Sequence, residues 1–200
     1  MDISAATIKQ LREQTGAGVL DCRKALEQTE GDLERARAWL KDKGLAQAAK
    51  KADRVAKDGL IGSYIHHNNR IAVLIEVNCE TDFSGKTQDF TDFVKNMAMQ
   101  IAATSPIAID RESISPEVLA KERDIYLTQA KESGKPEKVW EKIVEGKVTK
   151  FYSEACLLEQ PYVKNSDIKV QDVLNELIAK TGENIIIRRF IRYQLGDSNG

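Results

Sequence analysis

The spacing of apolar residues in the first part of the chain is that of amphipathic helices. Apolar positions recur every three or four residues up to about residue 44, and polar capping residues stand at the expected ends. The predicted helices run from Ser4 to Thr15–Gly16, from about Val19 to Gly31, and from Asp32 to Gly44. Three such helices enclose only a small core, so we expect a compact module in residues 1–53 that includes part of an Ala-rich helical linker.

The period then shortens to that of β-strands. The runs Leu60–His67 and Arg70–Val77 flank Asn68–Asn69, and Asn tolerates the positive φ of a tight hairpin turn. Near the end of the chain, Ile185–Leu195 is rich in β-branched and aromatic residues and is predicted to be a strand. We expect it to pair with the hairpin and form a small antiparallel sheet.

The helical period returns between the hairpin and the last strand. One apolar stripe begins at Phe90, a second helix begins at Ser115–Pro116, and a third carries Trp140 and Val144. The second and third are joined by a short turn, so residues 116–159 are predicted to form an antiparallel helical hairpin. A loop is expected at Pro161–Asn165 and a last helix from Val170 to Gly182. The fold class is therefore α+β, with the helices of domain 54–200 on one side of the sheet.

Composition narrows the classes of function. The chain has 30 Lys and Arg residues against 31 Asp and Glu, which gives a formal net charge of −1. No long basic block stands out, so direct binding to nucleic acid is not expected. No apolar run approaches the ~20 residues of a membrane span, and no signal-peptide pattern begins the chain. We therefore expect a cytoplasmic protein that does not contact membranes.

The loop after the second strand is the strongest candidate for a functional surface. It follows Val77 and leads into the helix expected near Lys86, with Asp82 and Phe83 at its tip. Two interpretations are open at this point. Asp82 caps the next helix and Phe83 folds back into the core, or the loop presents Phe83 to a partner.

Catalytic and metal-binding patterns are weak. Ser84–Thr87 ends like a phosphate-binding loop, but Glu80 stands where that motif needs a glycine. His66 and His67 are adjacent on a predicted strand and should face opposite sides, so no metal site is expected. The three cysteines are far apart in sequence and are expected to be buried and free. We expect no cofactor and no enzymatic activity.

Several motifs resemble those of one family. The run Leu11–Leu26 closely resembles the N-terminal signature of bacterial elongation factor Ts, and Glu76–Phe83 resembles that family's Thr-Asp-Phe motif. The second half and the end of the chain are similar to the family in order, at Ser133–Pro136, Glu145–Val148, Gln160–Val163 and Arg189–Tyr193. The likeness covers nearly the whole chain, and the two early motifs are long enough to be specific.

The resemblance implies a guanine-nucleotide exchange factor for elongation factor Tu, the GTPase that carries aminoacyl-tRNA. It implies that residues 1–53 form a ubiquitin-associated-type (UBA-like) module, with Arg12, Val19 and Leu20 at partner-contact positions. Thr81, Asp82 and Phe83 would act at the magnesium side of the nucleotide pocket of GDP-bound elongation factor Tu. This favours the second interpretation of Phe83. The alternative from another class is a UBA-type adaptor without exchange activity.

The chain departs from the family pattern in two ways. Ser84–Gly85 follow Phe83 where members commonly have Val-Ala, and Gly85 is expected to loosen the start of the helix. Long members carry a duplicated core, whereas this chain has room for one. Short members work as homodimers, so the resemblance implies a homodimer in which the second subunit replaces the missing half.

Overall fold

A computed structural model describes residues 3–197. The ends of the predicted domains, residues 1–2 and 198–200, lie outside the described residues. The chain divides into two compact units, and each is described by itself. The first unit comprises the chain up to Tyr64 together with Leu74–Ala98 and Asp172–Ile191, and the second comprises Ile65–Val73, Met99–Gln171 and the chain from Arg192 onward.

The first unit begins with three helices, α1 (Ala5–Thr15), α2 (Val19–Gln28) and α3 (Leu33–Lys51). The predicted caps are confirmed, since the side chain of Ser4 accepts a hydrogen bond from the Thr7 amide and that of Asp32 from the Arg35 amide. The helices share a small core of fully buried residues, namely Leu11, Cys22, Ala25, Leu26 and Ala36. Among residues 3–197, the buried residues of this core all come from α1, α2 and α3.

The predicted end of the third helix at Gly44 is wrong. The helix α3 continues through Gly44 to Lys51, so most of the expected linker belongs to it. Gly44 is buried, and a Cβ at this position would lie 3.8 Å from the Cβ of Ala179 on the helix α8 (Val170–Thr181). Lys51 donates to the carbonyl oxygen of Ile178 over 3.3 Å. Packing against α8 therefore stabilises helix where glycine alone would favour an end.

The sheet is built from the three strands that the sequence predicts. Its strands are β1 (Asp58–Ile65), β2 (Ile71–Cys79) and β5 (Ile186–Gln194), in the order β1-β2-β5. The last strand therefore pairs with the hairpin, as the sequence predicted. On β2 the buried side chains alternate with more exposed ones, and Val73, Ile75 and Val77 form its core-facing side.

A helix lies close against the sheet within the first unit. Two helices follow β2, the short α4 (Asp82–Gly85) and the longer α5 (Gln88–Thr104). The predicted stripe of α5 is confirmed, since it is buried at Phe90, Phe93, Val94, Met97 and Ile101. A Cβ on Gly62 of β1 would lie only 2.3 Å from Cγ1 of Val94, so glycine is required for this close approach.

The second unit contains the helices α6 (Pro116–Glu132) and α7 (Trp140–Ala155), which pack together around Ala130, Val144 and Val148. Ser115 caps α6 by accepting from the Val118 amide. The expected loop at Pro161–Asn165 is wrong in part, because β3 (Pro161–Tyr162) pairs antiparallel with β4 (Asn165–Lys169). Gln100 supports this hairpin by accepting from the Val163 amide and donating to the Pro161 carbonyl.

Candidate functional site

The loop between β2 and α5, residues 80–87, is held at its base by an N-terminal cap. The side chain of Thr81 accepts a hydrogen bond of 3.3 Å from the Ser84 amide, and Thr81 has extended backbone angles. The cap is therefore Thr81, and the prediction that Asp82 caps the next helix is wrong by one residue. The reason is that the chain turns into α4 directly after Glu80, earlier than the helix expected near Lys86.

Asp82 instead forms an ion pair on the surface of α4. Its carboxylate accepts from the Lys86 ammonium over 2.6 Å, at the spacing of one helical turn. The hydrogen bond and charge of Lys86 lower the pKa of Asp82, and those of Asp82 raise the pKa of Lys86. Lys86, the lysine of the phosphate-loop alternative, is thus already paired with a carboxylate.

Phe83 points away from the protein core. Its side chain is 78% exposed, whereas the two residues that follow it, Ser84 and Gly85, are buried. A side chain this exposed makes little packing contact with the rest of the chain. The first interpretation, in which Phe83 folds into the core, is therefore wrong.

The same loop is fixed from the opposite end of the sequence by Glu183. Its carboxylate accepts from the backbone amides of Glu80 and Thr81, over 3.0 Å and 3.1 Å, and from the Thr81 hydroxyl over 2.6 Å. Charge-assisted hydrogen bonds of this kind are stronger than neutral ones. Two successive backbone amides at the start of this loop are thus occupied by a carboxylate of the protein itself.

In a second set of hydrogen bonds, the loop supplies the acceptor, and the residue after Glu183 supplies the donor. The Glu80 carboxylate accepts from the Asn184 amide over 2.6 Å and lies 3.5 Å from a guanidinium nitrogen of Arg54. The buried side chain of Asn184 donates to the carbonyl oxygens of Ala52 and Arg54, over 3.2 Å and 2.7 Å. The segment after α3, the loop and the start of β5 are therefore joined by one hydrogen-bonded cluster.

The other predicted contact residues lie on the first helices. Arg12 is exposed near the end of α1, Val19 begins α2, and Leu20 is 81% exposed beside it. The neighbouring Asp21 is held by Lys43 of α3 over 2.5 Å, so this end of α2 is anchored to the three-helix core. The structure thus places Thr81, Asp82 and Phe83 in one loop and leaves Arg12, Val19 and Leu20 exposed on the first two helices.

The two histidines do not lie on a strand as predicted. They follow the end of β1, and their ring centroids are 4.2 Å apart, so the argument from opposite strand faces does not apply. Among residues 3–197, no group of three or more His, Cys, Asp or Glu residues is arranged to hold a metal ion. Cys22, Cys79 and Cys156 are buried and free, as expected, and burial raises the pKa of Cys79 to about 11.

Sequence reasoning missed Glu183 and Asn184. They follow a glycine at the end of α8, which indicates only a helix stop. Their partners in the loop lie more than one hundred residues earlier, at a separation of 103 for Glu183 and Glu80. No local pattern could have indicated this contact.

Comparison with known proteins gives consistent results. A family model described as "Elongation factor TS" matches residues 46–197 of the chain. Elongation factor Ts of Moorella thermoacetica is 57% identical over 195 residues, which cover 98% of this chain and 96% of that protein.

Two further relatives carry the same name. Elongation factor Ts of Nitratidesulfovibrio vulgaris is 54% identical over 196 residues, covering 98% of both chains. That of Geotalea uraniireducens is 57% identical over 197 residues, covering 98% of this chain and 91% of the relative. The likeness therefore extends over nearly the full length, including the N-terminal helices that precede the part matched by the family model.

Proposed function

The chain belongs to the elongation factor Ts family and is a guanine-nucleotide exchange factor for elongation factor Tu, and we propose that it releases GDP by inserting Phe83 near the magnesium side of the nucleotide pocket. The observation that carries this mechanism is the 78% exposure of Phe83 on a loop whose base is capped and hydrogen-bonded. A rigid base allows an apolar side chain to be pressed against a partner without the loop collapsing.

The mechanism needs no catalytic group. Mg²⁺ requires near-ideal octahedral geometry, so a side chain that displaces the elements around the ion weakens the hold on GDP without any bond being made or broken. Binding of this protein then lowers the affinity of elongation factor Tu for nucleotide, and nucleotide lowers its affinity for this protein by the same ratio. Each tenfold change in that coupling corresponds to about 1.4 kcal/mol. Thr81 caps the loop, Asp82 stiffens it through Lys86, and Phe83 makes the contact.

We infer that the first three helices are a UBA-like docking module in residues 1–53. Support comes from their own buried core and from the exposure of Leu20 and Val19, two adjacent apolar side chains at the start of α2. Arg12 on the preceding helix adds a charged group to this surface. The module would hold elongation factor Tu while the core domain, residues 54–200, acts on the nucleotide pocket.

The core domain would also contain the dimer contact. Ile61, Leu74 and Ile191, one from each strand of the sheet, are exposed within the first unit, and Leu74 lies on the side opposite to the buried Val73 and Ile75. An apolar sheet face is a suitable two-fold interface. We propose a homodimer through this face. We also propose that the helices α6 and α7 form the antiparallel hairpin expected in residues 116–159.

Light scattering tests the dimer. Wild-type protein is expected to have about twice the 22.4 kDa mass of one chain. Leu74→Glu should shift it to the single mass, because a carboxylate cannot be buried unpaired at the interface. Exposed Ile125→Glu on α6 serves as the matched control and should remain dimeric. A wild-type mass of one chain at micromolar concentration contradicts the dimer.

The exchange activity is tested with elongation factor Tu loaded with a fluorescent GDP. Adding this protein should accelerate nucleotide release, with a rate that saturates as its concentration rises. The adaptor alternative predicts binding without release, and the relatives named above, which are all called elongation factor Ts, give it no support.

Because the proposed partner acts in translation elongation, we expect the protein to work in the cytoplasm. No helix within residues 3–197 is long and apolar enough to cross a membrane.

A further inference from the structure

The junction between α8 and β5 holds two separate segments of the protein at once. Glu183 binds the loop that presents Phe83, and Asn184 binds the segment that follows α3. We propose that Glu183 and Asn184 are positioning residues for nucleotide exchange: Glu183 sets the orientation of the Phe83 loop, and Asn184 fixes that loop relative to the N-terminal helices. This inference rests on the proposed function, because it assigns these residues to the same site.

The junction is itself held by regular structure. Gly182 has the left-handed backbone conformation common at helix C-termini, with a φ of 76°, and its amide donates to the Ile178 carbonyl over 3.0 Å. The Glu183 amide donates to the Thr181 hydroxyl over 3.3 Å, and Asn184 is buried immediately before β5. The carboxylate of Glu183 therefore projects from a fixed point between a helix end and a strand start, as a group that must position another one should.

The contact with the loop is specific in geometry. Two successive amides and one hydroxyl converge on the two oxygens of the Glu183 carboxylate. Thr81 uses the same hydroxyl to accept from the Ser84 amide, so the group that caps α4 is itself oriented by Glu183. Phe83 is the second residue of α4, and any rotation of this short helix would move its side chain. Glu183 thus controls the direction of Phe83 through Thr81 and the short helix α4.

Asn184 extends this control to the docking module. Its amide group satisfies two carbonyl oxygens, those of Ala52 and Arg54, directly after α3 ends at Lys51. Arg54 in turn lies beside the Glu80 carboxylate that accepts from the Asn184 backbone amide. Two contact surfaces held at a fixed separation bind one partner more effectively than two that move independently. A fixed segment at residues 52–54 is expected to provide this advantage.

The direct test of the first step uses the free protein. Hydrogen exchange measured by NMR should show the amides of Glu80 and Thr81 protected in the wild type and exchanging faster in Glu183→Ala. Glu183→Gln keeps one acceptor oxygen and should fall between the two. Glu112→Ala, which removes an exposed carboxylate from the segment before α6, is the matched control and should leave both amides unchanged. Unchanged exchange in Glu183→Ala overturns the positioning role.

The functional test separates positioning from binding. Glu183→Ala should lower the maximal rate of GDP release at saturating factor by about tenfold, with a small change in the half-saturating concentration, because a misdirected contact group costs rate. Asn184→Ala should mainly raise the half-saturating concentration. Glu183→Gln should recover part of the lost rate. Circular dichroism at the assay temperature shows whether each variant is folded. If Asn184→Ala is unfolded, the result for Glu183→Ala decides whether the proposal stands.

The possible failures are distinguishable. A wild-type protein that releases no GDP overturns the proposed function, and the inference falls with it. An active wild type with an equally active Glu183→Ala overturns the inference alone. A rate that falls only in proportion to the folded fraction shows a structural role and also overturns it.

Discussion

Replacing Phe83 with alanine separates its folding role from its contact with the partner. The side chain is 78% exposed, so truncation should change the free energy of unfolding by no more than about 0.5 kcal/mol. In the proposed mechanism, the side chain becomes buried when elongation factor Tu is bound. Fully burying a Phe contributes about 2 kcal/mol, so its loss should slow GDP release roughly thirtyfold at subsaturating factor.

The chain offers a matched control in Phe90. It lies seven positions further on in α5 and is 0% exposed, so the same chemical change there removes core packing. Phe90→Ala should lower the free energy of unfolding by about 3–5 kcal/mol. The protein that remains folded should still release GDP at the wild-type rate, because the loop itself is unchanged.

Thermal melting and stopped-flow release of fluorescent GDP are measured on both variants. The reasoning requires a crossed result, with stability lost in Phe90→Ala and release lost in Phe83→Ala. A melting temperature of Phe83→Ala that falls as far as that of Phe90→Ala, with normal release by the folded fraction, would refute it. Phe83 would then be a packing residue of the folded protein in solution.

Three further predictions concern the same surfaces. Leu20→Ala should raise the half-saturating concentration of factor with little change in melting temperature, since this side chain is 81% exposed; equal affinity by titration calorimetry contradicts the docking role. Ser84 is buried and its hydroxyl has no hydrogen-bond partner within the described residues, so Ser84→Ala should increase the free energy of unfolding by about 1 kcal/mol in denaturant titration, and a decrease contradicts this. The lowered pKa of Asp82 and the raised pKa of Lys86 mean that both groups of the ion pair are charged between about pH 4 and about pH 10. The small difference in stability between wild type and Asp82→Asn should therefore be constant from pH 5 to 8 and should disappear as Asp82 becomes protonated at lower pH. A stability difference that grows on acidification contradicts the pairing.

Most features that were predicted correctly depend on residues close together in sequence, and the pairing of the last strand is the exception. Ser4, Asp32 and Ser115 cap helices because an N-cap bond spans only three residues. The hairpin of β1 and β2 follows from two alternating runs around an Asn-Asn turn. The last strand could be paired with them because a small sheet leaves few alternatives.

The errors occur where distant packing overrides a local preference. Gly44 should end a helix by propensity, but Ala179 and Ile178 of α8 provide contacts that continue it. Asp82 is as good a cap as Thr81, and the choice between them depends on where the chain leaves β2. The Thr81 amide and hydroxyl are bound by Glu183, which lies 102 residues away, so local sequence alone does not distinguish the two caps.

The same contacts explain how the loop tolerates its departure from the family pattern. Gly85 was expected to loosen the helix start, yet it is buried, and a Cβ there would lie 3.5 Å from Cys79 Sγ and 3.6 Å from Gly59 Cα. Those are ordinary van der Waals distances, so alanine would fit without displacing the loop. In our proposal the direction of Phe83 depends on the side chains of Thr81 and Glu183, and neither residue is part of the Ser84–Gly85 departure. On this proposal, the departure at Ser84–Gly85 leaves the direction of Phe83 unchanged.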